Sequence, residues 1–507
     1  MNCKESYLAD NSAENCDFKC ANLEYGLSTV NLTKYPETPF PQKHLPLESC
    51  DCVARVPLIT KILLAIQNYC CSCLRKESQL DHESKKSFIM VTSIPLFFTG
   101  IGEICAGLLL ARYSTGKFLT DMPEAMILIP PLCGLKGNLE STLGSRLATW
   151  THLGLLKTRE QKIKLYIASA SLDQAQALII GFLAANVTTI FYIIQNGSGS
   201  ISLDHVLALH LTSIVTSSAT SFLFSFLMFS VTLLAIALRI NPDNIATPFA
   251  AMIGDCITMT TFIFFGTMIN NHREEHGHKF IYLFIILAFL LSSIFWMCIA
   301  QRNPHTRQVL KTGWFSIITA MCFSTTAGYI LQNAYSKYPG VANFQPVTAG
   351  VGGNLGSIQA SRISTYLHKF GEWGVLPANS LLTYLNPLRT YACKEEESVK
   401  ALILAIMLFP GNIVFLVLIF AISIGNIALW NWVFFFLYLL AAFIHVSILL
   451  YVTQLMSRVY WRLKINPDNN TIPILTALGD LFGSLLLMAV FVLMSTFGYQ
   501  QWENSLQ

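Results

Sequence analysis

Apolar and polar positions in this chain are sorted into long blocks rather than short periods. Residues 1–87 are polar, spotted with proline and without sustained periodicity, which predicts a disordered tail. After them, apolar stretches long enough to cross about 30 Å of hydrocarbon recur to the end. They fall near 88–111, 125–150, 165–195, 205–239, 245–269, 280–300, 313–333, 346–367, 400–423, 429–461 and 471–498. The pattern predicts an all-α polytopic membrane protein of about 11 spans. Spans longer than about twenty residues tilt or project beyond the bilayer.

Composition agrees with this reading. Of 507 residues, 53% are hydrophobic and 12% charged, and mean hydropathy is +0.51. A soluble protein carries roughly a quarter charged residues, so that class is excluded. The net charge of +4 is too small and too scattered for nucleic acid to be the partner. Membrane lipid is the expected surroundings.

Lys and Arg mark one side of the bilayer. Lys157, Arg159, Lys162 and Lys164 share one loop, Arg302, Arg307 and Lys311 a second, and Lys369, Arg389 and Lys394 a third. Loop 196–204 has neither residue type. This asymmetry predicts a cytosolic N-terminus, where the eight cysteines before residue 74 stay as thiols. Cys70, Cys71 and Cys73 are candidates there for S-palmitoylation. No apolar signal-peptide core and no Arg-rich presequence opens the chain. The plasma membrane is the expected location, with an organelle, the mitochondrial inner membrane included, as the alternative.

The chain repeats itself. Residues 130–149, PPLCGLKGNLESTLGSRLAT, align without a gap on 346–365, PVTAGVGGNLGSIQASRIST, with nine of twenty positions identical. Residues 240–255, INPDNIATPFAAMIGD, align on 465–480, INPDNNTIPILTALGD, with eight of sixteen identical. The offsets, 216 and 225, are close enough to mark one duplication. Each half holds five spans, and the span at 280–300 has no counterpart. One linker span leaves both halves in parallel orientation, with a pseudo-two-fold axis along the membrane normal. The expected organisation is a tail (1–87), a first repeat (88–270), a linker helix with its loops (271–312), a second repeat (313–498) and a short tail (499–507).

These motifs resemble the solute carrier 41 family, relatives of bacterial MgtE magnesium channels, over about residues 88–498. The resemblance implies two five-helix MgtE-like repeats joined by an extra transmembrane helix. It implies divalent cation transport, chiefly of Mg²⁺ as the cargo, and Na⁺ as a coupling ion for some members. A repeat that mimics a dimer implies a functional monomer. The large cytosolic domains that regulate the bacterial relatives have no equivalent in the tail.

Asp255 and Asp480 are the first site candidates. Each follows a Pro-Asp break by about three turns, near the bilayer midplane. A carboxylate at that depth is costly, and by default functional. Two of them on equivalent helices supply −2 to a partly hydrated Mg²⁺, which prefers hard oxygen ligands. Carried over from the family, the carbonyls of Ala251 and Thr476 one turn earlier join them. The alternative is a pair of structural carboxylates bonded to neighbouring helices.

Asn138 and Asn354 offer neutral oxygens to a path, or bond between helices. Gly137 and Gly353 fit close helix packing. Lys136 and Glu140 can pair along one helix face, where the second half has Gly352 and Gly356. The pair is either a coupling element or a conformational lock. Glu103 lines the path or pairs elsewhere. Asp243 and Asp468 are helix N-caps or a cytosolic Mg²⁺ sensor. Arg146 and Arg362 snorkel to headgroups. Asp173 adds a charge where relatives are apolar.

Two other functions compete. Transport of another divalent ion keeps the fold, although the lack of buried Cys/His clusters disfavours soft metals. An intramembrane aspartyl protease needs Gly-x-Gly-Asp, and here Met252 and Ala477 replace the first Gly. No HExxH, Walker A or GxSxG motif is present, so an enzyme is not expected.

Overall fold

The computed structural model describes residues 85–499, apart from 136, 138–142, 144–146, 148–149, 151–157, 198, 200, 238–241, 277–278, 377–384, 392–395 and 424–429. The described residues are helical, with no strand among them. The first half holds α1 (Lys85–Ser114), a short α2 (Lys117–Asp121), a 3-10 turn (Pro123–Leu128), α3 (Arg159–Asn196), α4 (Leu203–Ala237) and α5 (Pro242–His276). Then come α6 (Lys279–Gln301) and the short α7 (Pro304–Thr312). The second half holds α8 (Trp314–Lys337), α9 (Val341–Phe370), a short α10 (Pro387–Tyr391), α11 (Glu396–Leu418), α12 (Trp432–Arg462) and α13 (Pro467–Thr496).

Local chemistry sets the helix ends. Thr158 and Gln161 form a reciprocal capping box at the start of α3. The Asn431 side chain accepts from the backbone of Val433 and Phe434 at the start of α12. α5 and α13 begin at Pro242 and Pro467, whose missing N–H is harmless in a first turn. Asp243 and Asp468 therefore stand inside the first turn rather than before it, at the positive end of each helix. Their side chains lie outside the described residues.

Nine helices among the described residues are long and apolar enough to span a membrane, against the eleven expected. The two that fall short carry the GNL motifs. α9 has 30 residues, but glycine, serine, glutamine and asparagine dilute its apolar content. Its partner is described as a short apolar helix, Pro123–Leu135, and most residues after it lie outside the described ones. α9 is built to pack on protein rather than to face lipid.

α6 is the opposite case. Only 17% of its most apolar window is buried, which puts it at the periphery, against α3 and α4. The centre is formed by α9, which packs on α1, α12 and α13, and by α13, which also packs on α8.

The first helix of each half packs across onto the other half. α1 lies against α9, and α8 against the 3-10 turn. Gly107 sits on the Asn343 carbonyl and Gly328 on the Ile127 carbonyl, each with no room for a Cβ. Gly107 and Gly328 are 221 positions apart, and Ile127 and Asn343 are 216 apart, so these two contacts are equivalent.

Candidate functional site

The candidate site gathers where α1, α5, α8, α9, α13 and the Pro131–Leu135 stretch meet. Asp255 on α5 is buried, 8% exposed, and Asp480 on α13 is half-buried. Asp255 lies within electrostatic reach of Asp480. The Ser324 hydroxyl on α8 donates to Asp480 Oδ2 at 2.9 Å. A Cβ built on Gly134 would lie 3.3 Å from the same oxygen, so this glycine leaves the carboxylate room.

The equivalent place in the other half is built from Gly350 and Glu103. Gly350 stands 216 positions after Gly134, and Ser324 stands 221 after Glu103. The Glu103 carboxylate fills the space where a Gly350 side chain would stand. It is 7% exposed and close enough to Cys256, beside Asp255, to act on it electrostatically. Cys256 Sγ lies 3.6 Å from the Gly102 carbonyl, which ties α5 to α1 at this level. The first half thus places a carboxylate where the second half has a hydroxyl.

The structure brings four candidates together: Asp255, Asp480, Glu103 and the Thr476 backbone. Gly353 packs on that backbone, its Cβ position 3.7 Å from the Thr476 carbonyl oxygen. A Cβ on Gly479 would lie 3.0 Å from the Gly353 backbone, so α9 and α13 touch main chain to main chain here. Asn354 is half-buried on α9. Around Gly137 a Cβ would meet nothing within 4 Å among the described residues, and its chain neighbours 136 and 138–142 lie outside them. Lys136, Asn138 and Glu140 lie outside the described residues, as do Arg146, Cys70, Cys71 and Cys73. Ala251 is in the helical backbone of α5, and its side chain is not described.

Among the described residues no three His, Cys, Asp or Glu side chains converge as a metal cage. Carboxylates spread over several helices suit an ion that keeps much of its water, as Mg²⁺ does.

Some buried polar groups escaped the sequence reading. Glu124 is 1% exposed and lies 3.3 Å from His205 Nδ1. His445 on α12 is 1% exposed, and its ring occupies the place of a Gly352 side chain. It stands 225 positions after Thr220, the same offset as the two aspartates, which could have flagged it. Asp173 is buried and accepts from Ser225 at 2.9 Å, a structural partner for that added charge. The Arg362 guanidinium sits 5.3 Å from the centre of the Phe88 ring. It stacks on α1 instead of simply reaching for headgroups.

The MgtE family, described as a divalent cation transporter, matches residues 129–267 and 345–490. Solute carrier family 41 member 3 of Rattus norvegicus is 35% identical over 435 residues, 84% of this chain and 92% of the relative. Solute carrier family 41 member 2 of Xenopus laevis is 37% identical over 411 residues, 81% of this chain and 72% of the relative. The Homo sapiens member 2 is 36% identical over 415 residues, 82% and 71% of the two chains. No solved structure matches the chain.

Proposed function

This chain belongs to the solute carrier 41 family of MgtE-like divalent cation transporters, and on that premise we propose that it moves Mg²⁺ between its two repeats. Asp255 and Asp480 form the charged step of the path. The observation that carries this reading is their placement: equivalent positions on two helices, buried or half-buried, within electrostatic reach of each other. Two carboxylates and the backbone oxygens of Ala251 and Thr476 match the ligand preference of a partly hydrated Mg²⁺. Softer divalent ions would want Cys or His at this point.

The repeat acts as a dimer fused into one chain, and the protein works as a monomer. The plasma membrane is its place of action, with the N-terminus cytosolic. Coupling to Na⁺, with Mg²⁺ leaving the cell, is the version the asymmetry between halves supports. Glu103 faces Gly350 where Ser324 faces Gly134, and Lys136 and Glu140 stand where the second half has two glycines. A symmetric pore has no use for such differences, whereas a carrier that exchanges two ions does.

The test is Mg²⁺ flux in proteoliposomes holding the purified full chain, with and without a Na⁺ gradient. Asp255→Asn and Asp480→Asn each remove one charge from the path at nearly constant shape. Flux falling at least about tenfold in both, with folding intact, is the expected result; one pathway charge is worth the roughly 1.4 kcal/mol that a tenfold change represents. Unchanged flux in either variant refutes the assignment of that aspartate.

A further inference from the structure

The C-terminal halves of α1 and α5 stand apart and leave an open groove of about 560 Å³. Each helix is held from its other side. Gly107 of α1 packs on the Asn343 carbonyl of α9, and Gly266 of α5 on the Phe118 ring of α2. Nearer the carboxylates, Cys256 Sγ meets the Gly102 carbonyl at 3.6 Å and keeps the two helices together. They diverge from there.

The lining places the groove in the membrane. α5 supplies Thr260, Ile263, Phe264, Thr267, Met268 and Asn271, which share one helical face. α1 supplies Leu109 and Tyr113, one turn apart. Both helices are long and apolar enough to span a bilayer. Phe264 and Met268 are 61% and 60% exposed, so their faces are left for lipid to cover. From Thr260 to Asn271 the helix rises about 16 Å. That is roughly half of a 30 Å hydrocarbon core, the depth of one leaflet. The volume is that of a small-molecule site.

The polar end decides which lipid fits. Tyr113 and Asn271 stand at the outer ends of their helices and bring a phenol and an amide, both neutral. No charged side chain lines the groove. Two cations near its mouth are engaged elsewhere: Lys117 pairs with Glu274, and Arg273 donates to Asn270 Oδ1 at 2.9 Å. A phosphate headgroup would find no cation in the lining, whereas a single hydroxyl finds both a donor and an acceptor. The sequence adds a second observation. Leu109-x3-Tyr113-x3-Lys117 has the Leu–Tyr–Lys spacing proposed for cholesterol contact. The pattern is common and weak alone, but here its Leu and Tyr are the two α1 residues that line the groove.

We infer that the groove between α1 and α5 holds one sterol molecule. Its hydroxyl sits at Tyr113 and Asn271, and its rings lie along Leu109, Ile263, Phe264 and Met268. The second half does not repeat these features. At the offset of 221, Leu109, Tyr113 and Lys117 become Ile330, Ala334 and Tyr338, and at 225 Phe264 becomes Ala489. Nothing in this site draws on the Mg²⁺ path, although α1 and α5 also carry Glu103 and Asp255.

The experiment is photolabelling of the purified full chain in phosphatidylcholine nanodiscs with a diazirine-bearing cholesterol analogue, read by mass spectrometry of peptides. Saturable labelling is expected on the peptides that hold Leu109 and Tyr113 or Thr260 to Asn271. Unlabelled cholesterol should displace it, and phosphatidylserine should not. Thr267→Trp fills the groove from within and should abolish labelling there. Tyr113→Phe with Asn271→Leu keeps the groove but removes its polar end, and should weaken labelling about threefold or more, the worth of a neutral hydrogen bond. This second variant carries the test should the tryptophan chain fail to fold. Labelling that does not saturate, falls elsewhere or is unmoved by the variants overturns the inference. Displacement by phosphatidylserine as readily as by cholesterol also overturns it, and makes the groove a seat for an acyl chain.

Discussion

Gly352→Ala should destabilise the protein through a single contact. A Cβ at this position falls inside the His445 imidazole, 2.7 Å from Nδ1 and 2.9 Å from Nε2. The ring has nowhere to retreat. Its Cε1 is already 3.2 Å from a Cβ position on Gly483, and its ring is hydrogen-bonded to the backbone of Gly479. Either α9 shifts from α12 or the ring leaves its rotamer, and overpacking of this kind costs about 1–3 kcal/mol. His445→Ala alone opens a ring-sized void, a large-to-small change worth about 2–5 kcal/mol. Because one methyl and one ring compete for one space, the double variant should be at least about 1 kcal/mol more stable than the sum of the singles implies. Reversible unfolding of the four proteins in one detergent measures the cycle. A Gly352→Ala chain within about 0.5 kcal/mol of wild type, or a cycle additive within that margin, refutes the packing argument.

Two further outcomes are expected. Ser324→Ala removes the hydroxyl that donates to Asp480; a hydrogen bond to a charged group is worth about 1.5–3 kcal/mol, so the concentration for half-maximal Mg²⁺ flux should change by roughly tenfold, while Ser324→Thr restores it. Trp461, 1% exposed, donates from Nε1 to the carbonyls of Glu372 and Val375 at 3.0 and 3.1 Å; Trp461→Phe removes this donor from the Val375 carbonyl, while the Glu372 carbonyl keeps the Val375 N–H at 2.9 Å, and should cost about 1–3 kcal/mol on unfolding without changing which ion is carried.

Much of this was legible in the sequence because membrane helices announce themselves by length and hydropathy. The long apolar helices, the proline starts of α5 and α13 and the equivalent positions of Asp255 and Asp480 all come from block pattern and repeat. The segments at 125–150 and 346–367 show the limit of that signal: neither is among the nine described helices that are long and apolar enough to span, and much of the first lies outside the described residues. A helix that packs on protein all round can be polar, and hydropathy cannot separate it from a span. Glu103 was a candidate without an address, because its place depends on α1 crossing to α9, and no local pattern encodes a crossing. His445 was missed for a related reason. One histidine in the apolar run of α12 looks unremarkable until the offset of 225 sets it against Thr220 and the fold sets it against Gly352.

The crossing of α1 onto α9 also sets a timetable for synthesis. Glu103 enters the bilayer with α1, but the helix whose Gly350 receives it follows more than two hundred residues later. At about 5–20 residues per second that delay lasts roughly ten to fifty seconds. For that time the nascent chain holds a carboxylic acid at membrane depth without the neighbour that accommodates it. The contacts of Glu103 with Gly350 and of Ile127 with Gly328 form only once both halves are present, so the order of the two copies along the chain is also an order of waiting. The first copy is inserted early and completed last.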